Sequence, residues 1–196
     1  MKRFSALGAA VLFGLAACGG GDAGDAEAPA TTGGEAPPAA APAAGALSMP
    51  DWYQVDHGAQ TVTLGITAGL TNKANYWNYN GYTNGEAKVV VPTGYTVTIN
   101  FTNQDPNMTH SIGVDNRTGG FPAAFTDVVP VFEGAISENA LDQANATATG
   151  EENVVTFVAS TAGEYSFVCY VPGHAAVGMW IRFEVRDGQD AGLMMM

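Results

Sequence analysis

Cysteine and histidine are scarce in this 196-residue chain, with two of the first and three of the second. Basic residues are scarce too: seven Lys and Arg stand against 19 Asp and Glu, a formal net charge of −12. That shortage argues against nucleic acid as a partner, because phosphate binding needs clustered positive side chains. Three histidines cannot furnish several multi-histidine metal clusters. No long stretch carries helical periodicity, and no internal repeat is visible. The one sustained apolar run, Phe4 to Ala17, is too short to span a bilayer as a permanent helix.

That run follows the basic start Met1-Lys2-Arg3 and has the build of a secretory signal. It ends in Leu15-Ala16-Ala17-Cys18, which looks like a bacterial lipobox. Residues 1–17 are thus expected to be a lipoprotein signal peptide, with cleavage before Cys18 and lipid on its sulfur. An ordinary signal peptide, with Cys18 incidental, is the alternative. Losing Lys2 and Arg3 leaves five basic against 19 acidic residues, a charge of about −14. Residues 18–49 are Ala, Gly and Pro with a few acids, too little apolar surface to offset the entropy of ordering. They read as a flexible tether. The expected location is the bacterial cell envelope, lipid-anchored. Gly19 is not an acidic retention signal, so the outer membrane facing the periplasm is preferred to the outer face of the inner membrane.

Residues 50–187 make one domain, long enough for a two-sheet core. Short runs of period two recur at 61–66, 87–91, 96–101, 111–115, 154–158, 165–169 and 179–185. They are rich in Val, Ile, Thr and aromatics and are divided by Gly, Asn and Pro. The reading is an all-β sandwich or barrel. Residues 127–152 form a long irregular connection, and the tail 188–196, ending Met194-Met195-Met196, reads as disordered.

Between the last two runs lies Cys169-Tyr170-Val171-Pro172-Gly173-His174-Ala175-Ala176-Val177-Gly178-Met179. It puts a thiol, an imidazole and a thioether on one tight loop, four residues between each. Soft donors in that set suit copper better than a hard cation, and a blue-copper site needs two His, one Cys and a weak axial Met. Three of the four are here. For the second imidazole, His110 heads the strand-like run Ser111–Asp115, while His57 sits in a polar turn and reads as an exposed histidine. With Cys18 lipidated, Cys169 is the only thiol of the mature chain. A free thiol in an exported protein needs an explanation, and metal ligation provides one. The alternative is a plain hairpin with a buried Cys and Met.

The loop in its Pro-Gly-His-Ala-x-x-Gly-Met-Trp form, the upstream Thr109-His110-Ser111, and Tyr76-Trp77-Asn78-Tyr79-Asn80-Gly81 leading to Val89–Tyr95 resemble the sulfocyanins. These are small blue copper proteins related to rusticyanins and auracyanins. The resemblance covers about residues 60–186. It implies a cupredoxin-like Greek-key β-sandwich and one copper per chain, with His110, Cys169, His174 and Met179 as ligands. It also implies that Ser111 braces the ligand loop through its hydroxyl. Pro172, Ala175, Ala176 and Val177 would surround an imidazole edge of His174 with an apolar electron-exit patch, which Met108, Phe121 and Pro122 could extend. The function implied is one-electron transfer by a monomer, without enzymatic turnover, between envelope redox partners of a respiratory chain. Cytochromes or terminal oxidases are the expected partner types. The alternatives are a copper carrier or chaperone, or an electron-donating module of a copper oxidase or reductase complex. A carrier would want a more open site, and a copper enzyme would need more histidines.

Overall fold

The computed structural model describes residues 45–196, so the signal peptide, Cys18 and most of the tether lie outside the described residues. Ten strands run in chain order. They are β1 (Leu47–Ser48), β2 (Tyr53–Asp56), β3 (Thr61–Ala68), β4 (Ala87–Pro92) and β5 (Thr96–Asn103), then β6 (Gly113–Asp115), β7 (Glu152–Val158), β8 (Gly163–Val168), β9 (Trp180–Arg186) and β10 (Gly192–Met195). Two sheets result, one of order β1-β10-β4-β9-β8-β6 and one of order β2-β3-β5-β7. Apart from two short 3-10 turns, Lys73–Tyr76 and Ala175–Val177, the described residues contain no helix. The all-β sandwich read from the alternation is what forms.

Period-two patterning sets the layers. In β3, Val62, Leu64, Ile66 and Ala68 are buried, and the residues between them stay half-covered. Strand β5 repeats this with Val97, Ile99 and Phe101, and β9 with Ile181, Phe183 and Val185. One face of each sheet thereby fills the space between them. Each fully buried Leu, Ile or Phe contributes about 1.5–3 kcal/mol relative to exposure. Aromatic contacts knit the layers: Phe167 stacks on Phe183 at 4.4 Å between centroids, and Phe132 on Phe157 at 5.5 Å. Strand β4 departs from alternation, with Val89, Val90 and Val91 all buried. It lies inside its sheet, paired parallel to β9 on one side and antiparallel to β10 on the other. A continuous apolar run is what a strand covered on both faces requires.

Both ends of the domain depart from expectation. The tail 188–196 is ordered: β10 pairs with β4, and Leu193 is 2% exposed in the core. Leu47 and Ser48, assigned to the tether, form β1 on the outer edge of β10. Segments of two to four residues are too short to show a period, but the open edges of β4 and then of β10 offer main-chain donors and acceptors that such segments can satisfy. Strand β2, also absent from the expected set, pairs with β3 for the same reason. Strands β3 and β5 run parallel in full eight-residue register.

The register of β6 against β8 brings two remote segments together. Gly113 lies opposite Val168, so the residues just before β6 sit beside those just after β8. His110 and Cys169 meet there, at one end of the sandwich. The long irregular segment between β6 and β7 closes over the same end: its Thr147 forms an isolated bridge with His110.

Replacing Leu193 by Ala should cost about 2–5 kcal/mol, the usual range for truncating a buried leucine. Denaturant unfolding should show a lower midpoint at unchanged slope. A change within about 0.5 kcal/mol, as expected of a surface site, would mean that the tail does not belong to the fold.

Candidate metal centre

Three donor atoms converge at this end. His110 Nδ1 and His174 Nδ1 lie 3.1 Å apart, and Cys169 Sγ is 3.4 Å from His174 Nδ1 and 3.8 Å from His110 Nδ1. All three side chains are buried, and together they form a compact group able to hold a metal ion. A tetrahedral or trigonal ion bound at about 2.0 Å from nitrogen and 2.3 Å from sulfur spaces its ligands by roughly 3.3–3.8 Å. The observed triangle fits such an ion. Met179, next along the loop, is fully buried.

The loop is held in shape by its own backbone. Cys169 N donates to Met179 O at 3.2 Å, Met179 N to His174 O at 2.9 Å, and His174 N to Val171 O at 3.1 Å. Gly178 makes the last turn possible. Its φ is +117°, and any Cβ there would collide with the Asn84 amide. Asn84 N and the Thr83 hydroxyl both donate to Gly178 O, at 2.8 and 2.6 Å, and tie the loop to the preceding segment.

Protonation states are set by partners. His110 Nε2 lies 2.8 Å from Asp105 Oδ2, and Asp105 is itself buried. A carboxylate accepts, so Nε2 carries the proton and the Nδ1 lone pair faces the cluster. The second Asp105 oxygen accepts from Asn107 N at 2.8 Å. Burial pushes the pKa of His110 below its ordinary value, against the opposing pull of Asp105. His174 is pushed down to about 4, by burial first and then by repulsion from His110. Burial pushes the Cys169 thiol up, only partly offset by backbone N–H groups of Ser111 and Val171. Two neutral imidazoles therefore face a thiol that lacks a cation to ionise against. A soft metal ion supplies that cation.

Ser111 sits against the sulfur. Its N–H donates to Cys169 Sγ at 3.4 Å, and its hydroxyl lies 3.7 Å from the same atom. The hydroxyl also accepts from Tyr170 N at 2.9 Å, which braces the start of the loop. Buried Tyr79 donates its hydroxyl to Ser111 O at 2.5 Å. His57 lies apart from the cluster, exposed, with Nδ1 3.0 Å from the Tyr95 hydroxyl. His110 is not in a strand: it precedes β6 by three residues, and its N–H donates to Thr147 O at 3.0 Å.

The expected surface patch is smaller than its sequence suggests. Pro172, Ala176 and Val177 are exposed, but Ala175 is buried. Ala175 packs with Phe121, Ala140, Val168 and Tyr170 in a satellite core, and Phe121 turns its ring to Trp180 at 5.3 Å. Pro122 and Met108 are half-covered. The imidazole edge of His174 does not reach the surface either, since the residue is 1% exposed.

Two site residues escaped the sequence reading. Asp105 stands five residues before His110 in Asn103-Gln104-Asp105-Pro106, which reads as an ordinary turn, and only folding turns its carboxylate onto the imidazole. Trp77 stacks on His174 with centroids 4.1 Å apart and planes 24° apart. It leaves a turn in which Ala74, Asn75 and Tyr76 all take left-handed backbone, with φ of 51°, 57° and 66°. Each such residue costs roughly 1–2 kcal/mol, less for Asn. The buried amide of Asn78 pins the turn by donating to Thr71 O and Lys73 O at 2.8 and 2.9 Å.

Comparison with known proteins bears on this donor set. The model of the Sulfocyanin (SoxE) domain matches residues 50–191. A curated sulfocyanin of Sulfolobus acidocaldarius is 29% identical over 129 residues, 62% of this chain and 61% of the relative. The chain thus spans a little under two thirds of that relative's length. Among solved structures, rusticyanin from Thiobacillus ferrooxidans is similar at 23% identity and a TM-score of 0.46, covering 69% of this chain and 87% of the other. A reduced auracyanin from Roseiflexus castenholzii aligns at 24% identity and 0.43, covering 63% and 96%.

Asp105→Ala should weaken copper binding by roughly 10–100-fold, the usual effect of removing the partner that orients a metal-bound histidine. Asp105→Asn keeps an acceptor and should retain binding. It should raise the reduction potential, because a negative charge that favours the oxidised ion is gone. Copper titration and potentiometry check both. Wild-type affinity in the Ala variant would show that Asp105 does not orient the ligand.

Proposed function

The chain belongs to the sulfocyanin family, and from that premise we propose that it shuttles single electrons through a copper held by His110, Cys169, His174 and Met179. Proteins of this cupredoxin family carry one copper per chain and transfer electrons to protein partners; they are not enzymes. The observation that carries the ligand assignment is the buried triangle of two Nδ1 atoms and one Sγ, with the lone pair of His110 aimed inward by Asp105.

Copper bound there supplies a one-electron couple. The residues supply the rest. His110 and His174 offer neutral nitrogen at a pH where exposed histidine is partly protonated. Cys169 offers its sulfur, and the Ser111 N–H spreads the charge on it, which tunes the potential. Met179, buried at the end of the same loop, would complete the set as a weak thioether donor. The enclosing core excludes water, and the hydrogen-bonded loop holds the donors in one geometry, so that little has to move when the charge changes. An enclosed donor set of this kind suits a shuttle better than a carrier that must release its metal.

The partners we infer are cytochromes or terminal oxidases of a respiratory chain. Exposed Pro172, Ala176 and Val177 of the loop support brief docking on a small uncharged surface. The lipobox-like Leu15-Ala16-Ala17-Cys18 supports an envelope location with the domain, as a monomer, on a lipid anchor.

Loading with copper should produce an intense visible thiolate-to-copper band, and Cys169→Ser should abolish it while the domain still folds. His110→Ala should also lose the band, and His57→Ala should keep it. A persistent band in the Cys169 variant sinks the ligand assignment. For the anchor, Cys18→Ala should move the protein from the membrane fraction to the soluble one. Recovery of an unlipidated wild type from the periplasm would contradict it.

A further inference from the structure

His174 is enclosed. It is 1% exposed, and its outer nitrogen, Nε2, is buried without a protein hydrogen-bond partner. A docked partner therefore cannot touch this imidazole. What lies over it is the indole of Trp77, in stacked contact at 4.1 Å and itself only partly buried. The ring is positioned on purpose-built backbone: three successive left-handed residues lead into it, and Asn78 next to it is buried and fully engaged. Such strain persists only where the surroundings over-determine it, and it clusters at functional positions. The segment after Trp77 is also hydrogen-bonded to the ligand loop through Thr83 and Asn84, so ring and loop are held as one unit.

We propose that Trp77 is the electron port: electrons pass between His174 and the docked partner through the stacked indole, not through a bare imidazole edge. The inference rests on the one-electron reading above. In each transfer the reduced centre loses one electron and a one-electron acceptor protein gains it; no bond forms or breaks and no proton moves. The indole bridges the gap without itself being oxidised. Electronic coupling falls steeply across empty space and more gently through packed atoms, so a ring in stacked contact with His174 that still keeps part of its surface exposed is the best-coupled route from this imidazole. The docking surface then centres on Trp77, with the exposed loop residues Pro172, Ala176 and Val177 contributing to it.

The test compares wild type with Trp77→Phe and Trp77→Leu, all loaded with copper. Electron self-exchange, read from NMR line broadening in mixtures of reduced and oxidised protein, needs no identified partner. Trp77→Leu should slow exchange by about tenfold or more, a loss readable as activation free energy, with the visible band intact. Trp77→Phe, which keeps a ring, should stay within a few-fold of wild type. Wild-type exchange in the Leu variant overturns the proposal, and so does faster exchange, which would make Trp77 a cover. A second readout needs no copper. Diethyl pyrocarbonate with peptide mapping should modify His57 in every form, but His174 only in the Leu variant. If His174 of the wild type reacts as fast as His57, the indole does not enclose it and the proposal falls. Failure of the underlying reading looks different: the wild type itself would then show no visible band and no reversible one-electron step.

Discussion

Two imidazoles and a thiol lie within 3.8 Å of one another in a site closed to water, and that burial is the constraint around which the rest is arranged. Desolvation holds both imidazoles neutral and the thiol protonated. Left so, the cluster is a cost to the fold: His174 Nε2 is buried without a partner, and no cation balances the sulfur. A soft cation reverses each of these terms at once. Metal binding and folding are then coupled, since the unfolded chain has no such triangle to offer.

The sandwich serves that cluster by holding distant segments rigidly together. His110 and Cys169 are 59 residues apart, and the pairing of Gly113 with Val168 brings them side by side. Around them the polar atoms are paired outward in chains. Asp105 orients His110, Asn107 N–H binds Asp105, and Asn103 donates to the carbonyls of Met108 and Thr147 at 2.8 and 2.9 Å. Ser111 links the sulfur to the start of the ligand loop, and Tyr79 holds the Ser111 carbonyl. A buried network with nearly every member satisfied leaves few alternative arrangements for the donors. The long segment before β7 belongs to this structure, because Thr147 accepts from the His110 backbone and Phe132 is stacked in the core.

Much of this was legible in the chain. Alternation in 61–66, 96–101 and 179–185 specifies strands that bury one face, because a side chain's direction flips at every residue of an extended backbone. The spacing from Cys169 to His174 to Met179, flanked by strand-like runs, specifies a loop that gathers three donor side chains, because a local turn needs only local residues. The net acidity and the scarcity of cysteine are matters of counting. What was misread lay at the margins: Leu47–Ser48 and Gly192–Met195 are too short to carry a period, and their order comes from an open sheet edge, that of β4 for Gly192–Met195 and then that of β10 for Leu47–Ser48.

The sequence by itself therefore determined the class of fold, the donor types and most of the candidate donor set, all of which rest on composition, period and short spacing. Folding alone decided which surfaces face which. It turned the Asp105 carboxylate onto His110, sank Ala175 and Phe121 into a satellite core, and laid Trp77 over His174, far along the chain from it. None of these contacts leaves a trace in period or spacing. They exist because strand pairing brings loops from remote parts of the chain to one end of the sandwich, where burial then selects the partner each polar group can reach.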